Sequence, residues 1–234
     1  MVRTFLTEGA TVHFCARTQS DIDAANTKLA ADFPSAKAIG TRVDIADQGA
    51  LKDWITTCAE QNAGKIDVVV ANVSALAIQD GAEAWQKAFE TDLLPLYTLS
   101  STAQPYLETT KGNLVTISSV SGRDIDFTTP SPYGPAKAAM IHYTASLARK
   151  WAPLGMRANT VSPGNIYIED GVWGGVEKGM PELFKSQWEK NPMGRMGKAE
   201  EIADVVCFVA SARAGFVSGS NLTVDGALCN GVQF

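Results

Sequence analysis

The chain is 234 residues long, 45% hydrophobic and 19% charged. These are ordinary proportions for a soluble globular protein, and the length suits a single domain with a substantial core. A formal net charge of −5 argues against a nucleic-acid partner, and no apolar run approaches the ~18 residues that a membrane span needs.

In chain order, residues 11–16 (Thr-Val-His-Phe-Cys-Ala) read as a strand and 20–31 as a helix capped by Ser20 or Asp21. A second strand is expected over 36–43, a second helix over 48–61, and a third strand over the Val-rich run 66–71. A long helix covers about 83–106. Leu114, Val115, Thr116 and Ile117 then form an apolar run typical of a strand buried on both faces. A helix begins near Tyr133 and reaches about Trp151, followed by a strand at 157–161 and a Gly- and Trp-containing excursion at 165–197. The last helix spans 199–211, with Glu200 and Glu201 suited to its first turn, and the last strand spans 221–224. Strands alternating with helices, without repeat or linker, predict an α/β fold in one domain over 1–234, with a mostly parallel, doubly wound sheet flanked by helices.

Cys15, Cys58, Cys207 and Cys229 lack metal-ligand spacing, and the first eight residues lack the apolar core and cleavage site of a signal peptide. A reducing, cytoplasmic setting is the expectation. His13 and His142 are isolated from each other and from the cysteines, so no metal site is expected.

The chemistry concentrates between Ser119 and Lys137. Ser119 follows the buried strand, where open α/β sheets bind ligands. Pro132 and Pro135 place Tyr133 at the start of the next helix, because proline is tolerated only in a first turn. Tyr133 and Lys137 are four residues apart and share a helix face. A phenol titrates near ~10, and a neighbouring ammonium would favour the phenolate; a drop of about three units needs roughly 4 kcal/mol. Ser119 would hydrogen-bond the oxygen that alternates between carbonyl and alkoxide.

These residues resemble the short-chain dehydrogenase/reductase family. The matching marks are Ile117-Ser118-Ser119 followed by Gly122, Tyr133-x-x-x-Lys137, Asn159-x-Val161-x-Pro163-Gly164, and Val224-Asp225-Gly226. Each falls at the expected strand or helix boundary. The resemblance implies a Rossmann-type fold and interconversion of a carbonyl and a secondary alcohol by hydride transfer, with Ser119, Tyr133 and Lys137 as catalytic residues. It also implies a first strand and glycine-rich turn that this sequence does not contain, about two dozen residues by the dimensions of a βαβ unit. Either the sequence begins at an internal methionine or the protein lacks that element.

The resemblance further assigns a cofactor site. Arg17 after the strand ending at Ala16, with no acidic residue there, implies NADP(H) in preference to NAD(H). Asp44 and Ile45 would face adenine. Asn72, Tyr133, Lys137, Pro163, Gly164 and Ile166 would surround the nicotinamide half. Three positions depart from the family pattern: the Asn-Asn-Ala-Gly run reads Ala71-Asn72-Val73-Ser74, the asparagine of the long helix is Asp92, and Ile168 replaces a threonine. Asp92 could pair with Lys137 and is included in the catalytic set.

Residues 165–197 match the family's substrate lid, with Trp173, Phe184 and Trp188 for apolar mass and Gly171, Gly174, Gly175 and Gly179 for freedom to move. The family's habit implies a homodimer or homotetramer, with residues 228–234 adding contacts. The expected partner is a small-molecule carbonyl or alcohol, with no nucleic acid and no membrane. An alternative is a cofactor-deficient pseudoenzyme or structural partner subunit that keeps the fold; Asp92, the run 72–74 and the lack of a glycine-rich turn favour it, whereas intact Ser119, Tyr133 and Lys137 favour the enzyme.

Overall fold

A computed structural model describes residues 1–231; Val232, Gln233 and Phe234 of the expected tail contact lie outside the described residues. Helix α1 (Val2–Thr7) turns through Gly9 into β1 (Val12–Ala16), then α2 (Gln19–Asp32), β2 (Ala38–Arg42), α3 (Gln48–Glu60) and β3 (Val68–Ala71). Gly9 sits at φ +84°, a left-handed turn that glycine accepts without strain. Helix α4 (Ala82–Ala88) passes through a π-helical segment (Phe89–Leu93) into α5 (Leu94–Thr110), and β4 (Asn113–Ile117) leads to a short 3-10 turn (Val120–Gly122). The remainder is α6 (Tyr133–Trp151), β5 (Arg157–Pro163), β6 (Ile166–Tyr167), α7 (Val172–Gly179), α8 (Pro181–Glu189), β7 (Gly197–Lys198), α9 (Ala199–Ala210) and β8 (Asn221–Val224).

The expected elements are present, with three differences. Helix α2 starts after Thr18 with no side-chain cap, so neither Ser20 nor Asp21 caps it. The long helix is broken by the π segment, which inserts a residue into the helical ladder. The excursion at 165–197, for which the sequence offered no elements, folds as two helices bracketed by two short strands.

All pairings are parallel. Strands β3, β4, β5 and β8 form one sheet in that order, β1 and β2 pair separately, and β6 pairs with β7. The break between β1 and β3 falls where the resemblance expects an additional strand. Both strands instead line a cleft of about 810 Å³.

Two apolar cores cover the two faces of the main sheet, because successive strand side chains point to opposite sides. Val69 and Leu114 join Leu51, Ile55, Leu107 and Trp151 from α3, α5 and α6. Val115, Ile117 and Val161 join Ile202, Val206 and Val209 of α9. Strand β4 is buried at all five positions, as its unbroken apolar run predicts. Among the described residues no helix is long and apolar enough to cross a membrane.

The start of α9 is clamped by Glu201. Its carboxylate accepts two hydrogen bonds from Arg195, at 2.8 and 2.6 Å, and one from the Lys198 backbone N–H at 2.8 Å. Arg195 and that N–H together hold the carboxyl down at about 2. A depressed carboxyl stabilises the fold above its unfolded value of 4.5 and loses that contribution as pH falls toward about 2. Glu201→Gln should therefore lower Tm at neutral pH, and the difference from wild type should shrink across that window. A Tm difference that does not change with pH would show that the clamp contributes nothing through its charge.

Candidate active site

Strand β4 ends at Ile117, and Ser118 and Ser119 carry the chain into the 3-10 turn. The Ser119 side chain accepts from the Ser121 N–H and donates to the Ser121 hydroxyl, each at 3.2 Å. Ser121 in turn donates to Asp126. The Ser118 hydroxyl donates to the Lys137 carbonyl at 2.9 Å, tying the turn to α6. A side chain at Gly122 would meet the Lys137 backbone at 2.8 Å, so the turn and helix approach as closely as glycine allows.

Tyr133 is the first residue of α6 with Pro132 before it, as the prolines predict. Lys137 is 2% exposed and Asp92 4% exposed, and the Lys137 Nζ lies 3.1 Å from Asp92 Oδ1. The other Asp92 oxygen accepts the Ala75 N–H at 2.9 Å. The π segment carries Asp92, and it packs against both α4 and α6. The ammonium also lies 3.4 Å from the Ile117 carbonyl and 5.7 Å from the centre of the Tyr133 ring.

This arrangement corrects one expectation. The Tyr133 phenol is raised above its ordinary value, not lowered. Burial is the largest cause, and the Asp92 and Asp126 charges add to it; only the Ser119 hydroxyl pulls the other way. Lys137 itself is lowered by burial, with Asp92 opposing. The lysine's positive charge is thus answered by a carboxylate at contact distance, leaving little net field at the phenol.

The residues expected around a cofactor divide into two groups. Arg17, Arg42 and Asp44 border a cavity of about 250 Å³ at the carboxyl ends of β1 and β2. The Arg42 Nε donates to the Arg17 backbone carbonyl at 3.2 Å, which holds the Arg42 guanidinium against the Arg17 backbone. Arg42 was not singled out from the sequence; a basic residue two positions before Asp44, closing a strand adjacent to that of Arg17, was the available signal. Asp44 accepts its own Ala46 N–H at 3.0 Å, and Ile45 packs into the core, where its side chain borders the large cleft. Exposed Asn72 also borders that cleft, beyond the end of β3.

Two family marks also pack against each other. Gly164 lies against Asp225, where a side chain would meet the aspartate Cβ at 2.7 Å. Asp225 accepts N–H bonds from Ala227 and Cys229 at 3.0 and 2.9 Å. The Pro163-Gly164 and Val224-Asp225-Gly226 marks therefore answer each other across β5 and β8. Asn159, fully buried, donates to the Val217 carbonyl at 2.8 Å and accepts the Ser220 N–H at 3.1 Å. Ile166 begins β6, whose pairing with β7 closes the base of the excursion.

In the excursion, Trp173 stacks at 5.6 Å on Phe127, which belongs to the loop between Ser119 and Tyr133. Phe184 joins Trp173 to Trp188, with ring centres 6.5 and 5.6 Å apart. At Gly174 the packing itself requires glycine, because a side chain would meet the Glu169 carbonyl at 1.8 Å. Among the described residues no cluster of three His, Cys, Asp or Glu could hold a metal ion, and all four cysteines are free thiols.

Comparison with known proteins agrees with this geometry. A family profile described as enoyl-(acyl carrier protein) reductase matches residues 1–228. The chain is 37% identical to isoepoxydon dehydrogenase of Penicillium expansum over 237 aligned residues, covering all of this chain and 91% of that protein. It is 30% identical to meso-2,3-butanediol dehydrogenase of Serratia marcescens, covering 96% and 86% of the two chains. The solved structure of L-sorbose reductase from Gluconobacter frateurii, complexed with NADPH and L-sorbose, superposes with a TM-score of 0.86 over 99% of this chain and 91% of that one, at 22% identity. With a matching profile over nearly the whole chain and dehydrogenases among its relatives, the chain belongs to the short-chain dehydrogenase/reductase family of oxidoreductases.

Proposed function

We propose that this protein is an NADP(H)-dependent oxidoreductase that interconverts a ketone and a secondary alcohol. The observation that supports it most is the convergence of Ser119, Tyr133 and the Lys137–Asp92 pair beyond the carboxyl end of β4. When bound, the nicotinamide supplies hydride to the carbonyl carbon or accepts it from the alcohol carbon. In reduction, Tyr133 donates its phenolic proton to the substrate oxygen as the C=O electron pair moves there, and solvent reprotonates the phenolate. Ser119 donates a hydrogen bond to the same oxygen and stabilises the charge that develops on it. Lys137 holds a buried positive charge beside the ring, and Asp92 positions it.

The residues fit the adenosine end of NADP(H). Arg17 and Arg42, which border one cavity, with no carboxylate at residue 16, suit a 2′-phosphate. Asp44, Ile45, Asn72, Pro163, Gly164 and Ile166 complete the proposed contacts, together with Tyr133 and Lys137; no described residue is assigned to the pyrophosphate. Residues 165–197 act as a lid whose aromatic face, through Trp173 and Phe127, covers the loop leading to Tyr133. The names of the relatives, a butanediol dehydrogenase and a sorbose reductase among them, support a small hydroxylated substrate. The thiols left free and the acidic surface fit a cytoplasmic setting. Exposed Trp85, Phe89 and Tyr97, four to eight residues apart along α4, the π segment and α5, offer an apolar face for a homodimer or homotetramer.

Steady-state assays with NADPH and NADH, using meso-2,3-butanediol and sorbose with their oxidised partners, test the reading. Tyr133→Phe should lower kcat by about a hundredfold or more while leaving cofactor Kd nearly unchanged. Comparable turnover in the variant would remove Tyr133 from the mechanism, and a wild type that neither binds NADPH nor turns over would favour a cofactor-free partner subunit.

Cofactor choice gives an independent check. Wild type should prefer NADPH, and Arg17→Asp should reverse that preference by repelling the 2′-phosphate and accepting a ribose hydroxyl. A wild-type preference for NADH would refute the assignment of Arg17.

The raised phenol sets a pH dependence. Oxidation requires the phenolate and should accelerate with pH up to the raised value, whereas reduction uses the protonated form abundant at neutral pH. Asp92→Asn removes a charge that raises Tyr133 and frees the ammonium from its counter-ion, so the alkaline limb of oxidation should move to lower pH. An unmoved limb would show that Asp92 does not act through the phenol.

A further inference from the structure

The turn after β4 and the loop before α6 share a line of hydroxyl and carboxylate groups that starts at the phenol. Asp126 accepts the Ser121 hydroxyl, and Ser121 accepts the Ser119 hydroxyl at 3.2 Å. Chemistry forces that order. A carboxylate only accepts, so the single Ser121 hydroxyl proton goes to Asp126, and the Ser119 proton goes to Ser121. Ser119 also accepts the Ser121 N–H at 3.2 Å. One lone pair is left for the Tyr133 hydroxyl, with which Ser119 interacts. Every proton along the line therefore points away from the phenol.

Each member is held in place. Asp126 Oδ1 accepts the Thr128 N–H at 2.9 Å and the Thr128 hydroxyl at 2.7 Å, which fixes the other carboxylate oxygen on Ser121. A side chain at Gly134 would meet the Ser121 carbonyl at 2.8 Å, so the turn sits directly on the first turn of α6. Phe127, next to Asp126, stacks on Trp173 of α7. Asp126 itself is half-buried between Ile125 and Phe127, which are both exposed, so the line ends at the protein surface.

We propose that Tyr133, Ser119, Ser121 and Asp126 form a proton wire between the reacting oxygen and solvent, with Ser121 and Asp126 as its positioning residues. The proposal rests on the catalytic reading above. In alcohol oxidation the phenolate takes the substrate hydroxyl proton as hydride leaves the alcohol carbon, and the phenol must then lose that proton. It passes to Ser119 as the Ser119 proton passes to Ser121 and the Ser121 proton to Asp126, whose carboxyl releases it to water. Three O–H bonds break and three form, and the negative charge moves from Asp126 to Tyr133. A carboxylate is a much stronger base than water, so the wire ends on the better acceptor. The reverse shift reprotonates the phenolate in reduction.

Two readouts test it. Carbon-13 NMR of the Tyr133 ring follows the phenol in the free chain, without cofactor or substrate. The charged groups at the phenol are Asp92, Asp126 and Lys137, and Ser121→Ala changes none of them. It returns the Ser119 proton to the phenolate, so the Tyr133 titration should move to lower pH, with about threefold or more phenolate below the midpoint. In steady-state oxidation of meso-2,3-butanediol with NADP at low buffer concentration, Ser121→Ala and Asp126→Asn should each slow turnover about tenfold or more. Imidazole, added at constant pH as a mobile proton carrier, should restore both variants and leave wild type unchanged. Slow variants that imidazole does not restore would show a purely structural loop, and variants as fast as wild type would show that the proton leaves by another route. An unmoved titration in an active wild type would defeat the wire alone. An inactive wild type would defeat the catalytic reading and, with it, the wire's service to catalysis.

Discussion

A lysine and an aspartate held almost out of water, 3.1 Å apart, are the constraint around which this site is organised. Neither charge is tolerable alone at that depth, and removing one partner of such a pair typically costs about 3–5 kcal/mol. The pair therefore demands its surroundings. Helix α6 must start at Tyr133 so that Lys137 falls one turn inside, the π segment must turn Asp92 inward, and β4 must end where the Ile117 carbonyl can meet the ammonium. The Ala75 N–H on the second carboxylate oxygen fixes the loop after β3 to the same point.

This pairing also sets the chemistry. A free ammonium beside a phenol would pull it toward ionisation, but an ammonium with its own carboxylate does so weakly. Burial then dominates and the Tyr133 phenol is raised. The protonated phenol is then the abundant form at neutral pH.

Much of this was legible in the residues. The apolar run of β4, the prolines around Tyr133 and the four-residue step to Lys137 each translate directly into geometry. The Asp92–Lys137 pairing was visible as a possibility because both charges lie on helices that the fold brings together. The direction of the phenol shift was not legible, since neighbours can be read from spacing but burial cannot. The π segment was hidden for a related reason: one inserted residue leaves the composition of 89–93 helical. Arg42 escaped because an exposed basic residue at a strand end has no distinguishing pattern until Arg17 is seen beside it. The packing of Gly164 against Asp225 was hidden because it joins residues some sixty positions apart.

The central claim is that Lys137 is a buried ammonium held charged by Asp92. Nitrogen-15 NMR of the lysine side chains observes it directly, because the Nζ shift reports protonation. The account predicts one slowly exchanging, charged Nζ signal at neutral pH that titrates below the other lysines and loses its charged signature at lower pH in Asp92→Asn. A Lys137 that is neutral at pH 7 in the wild type, or whose titration is the same in Asp92→Asn, would contradict it.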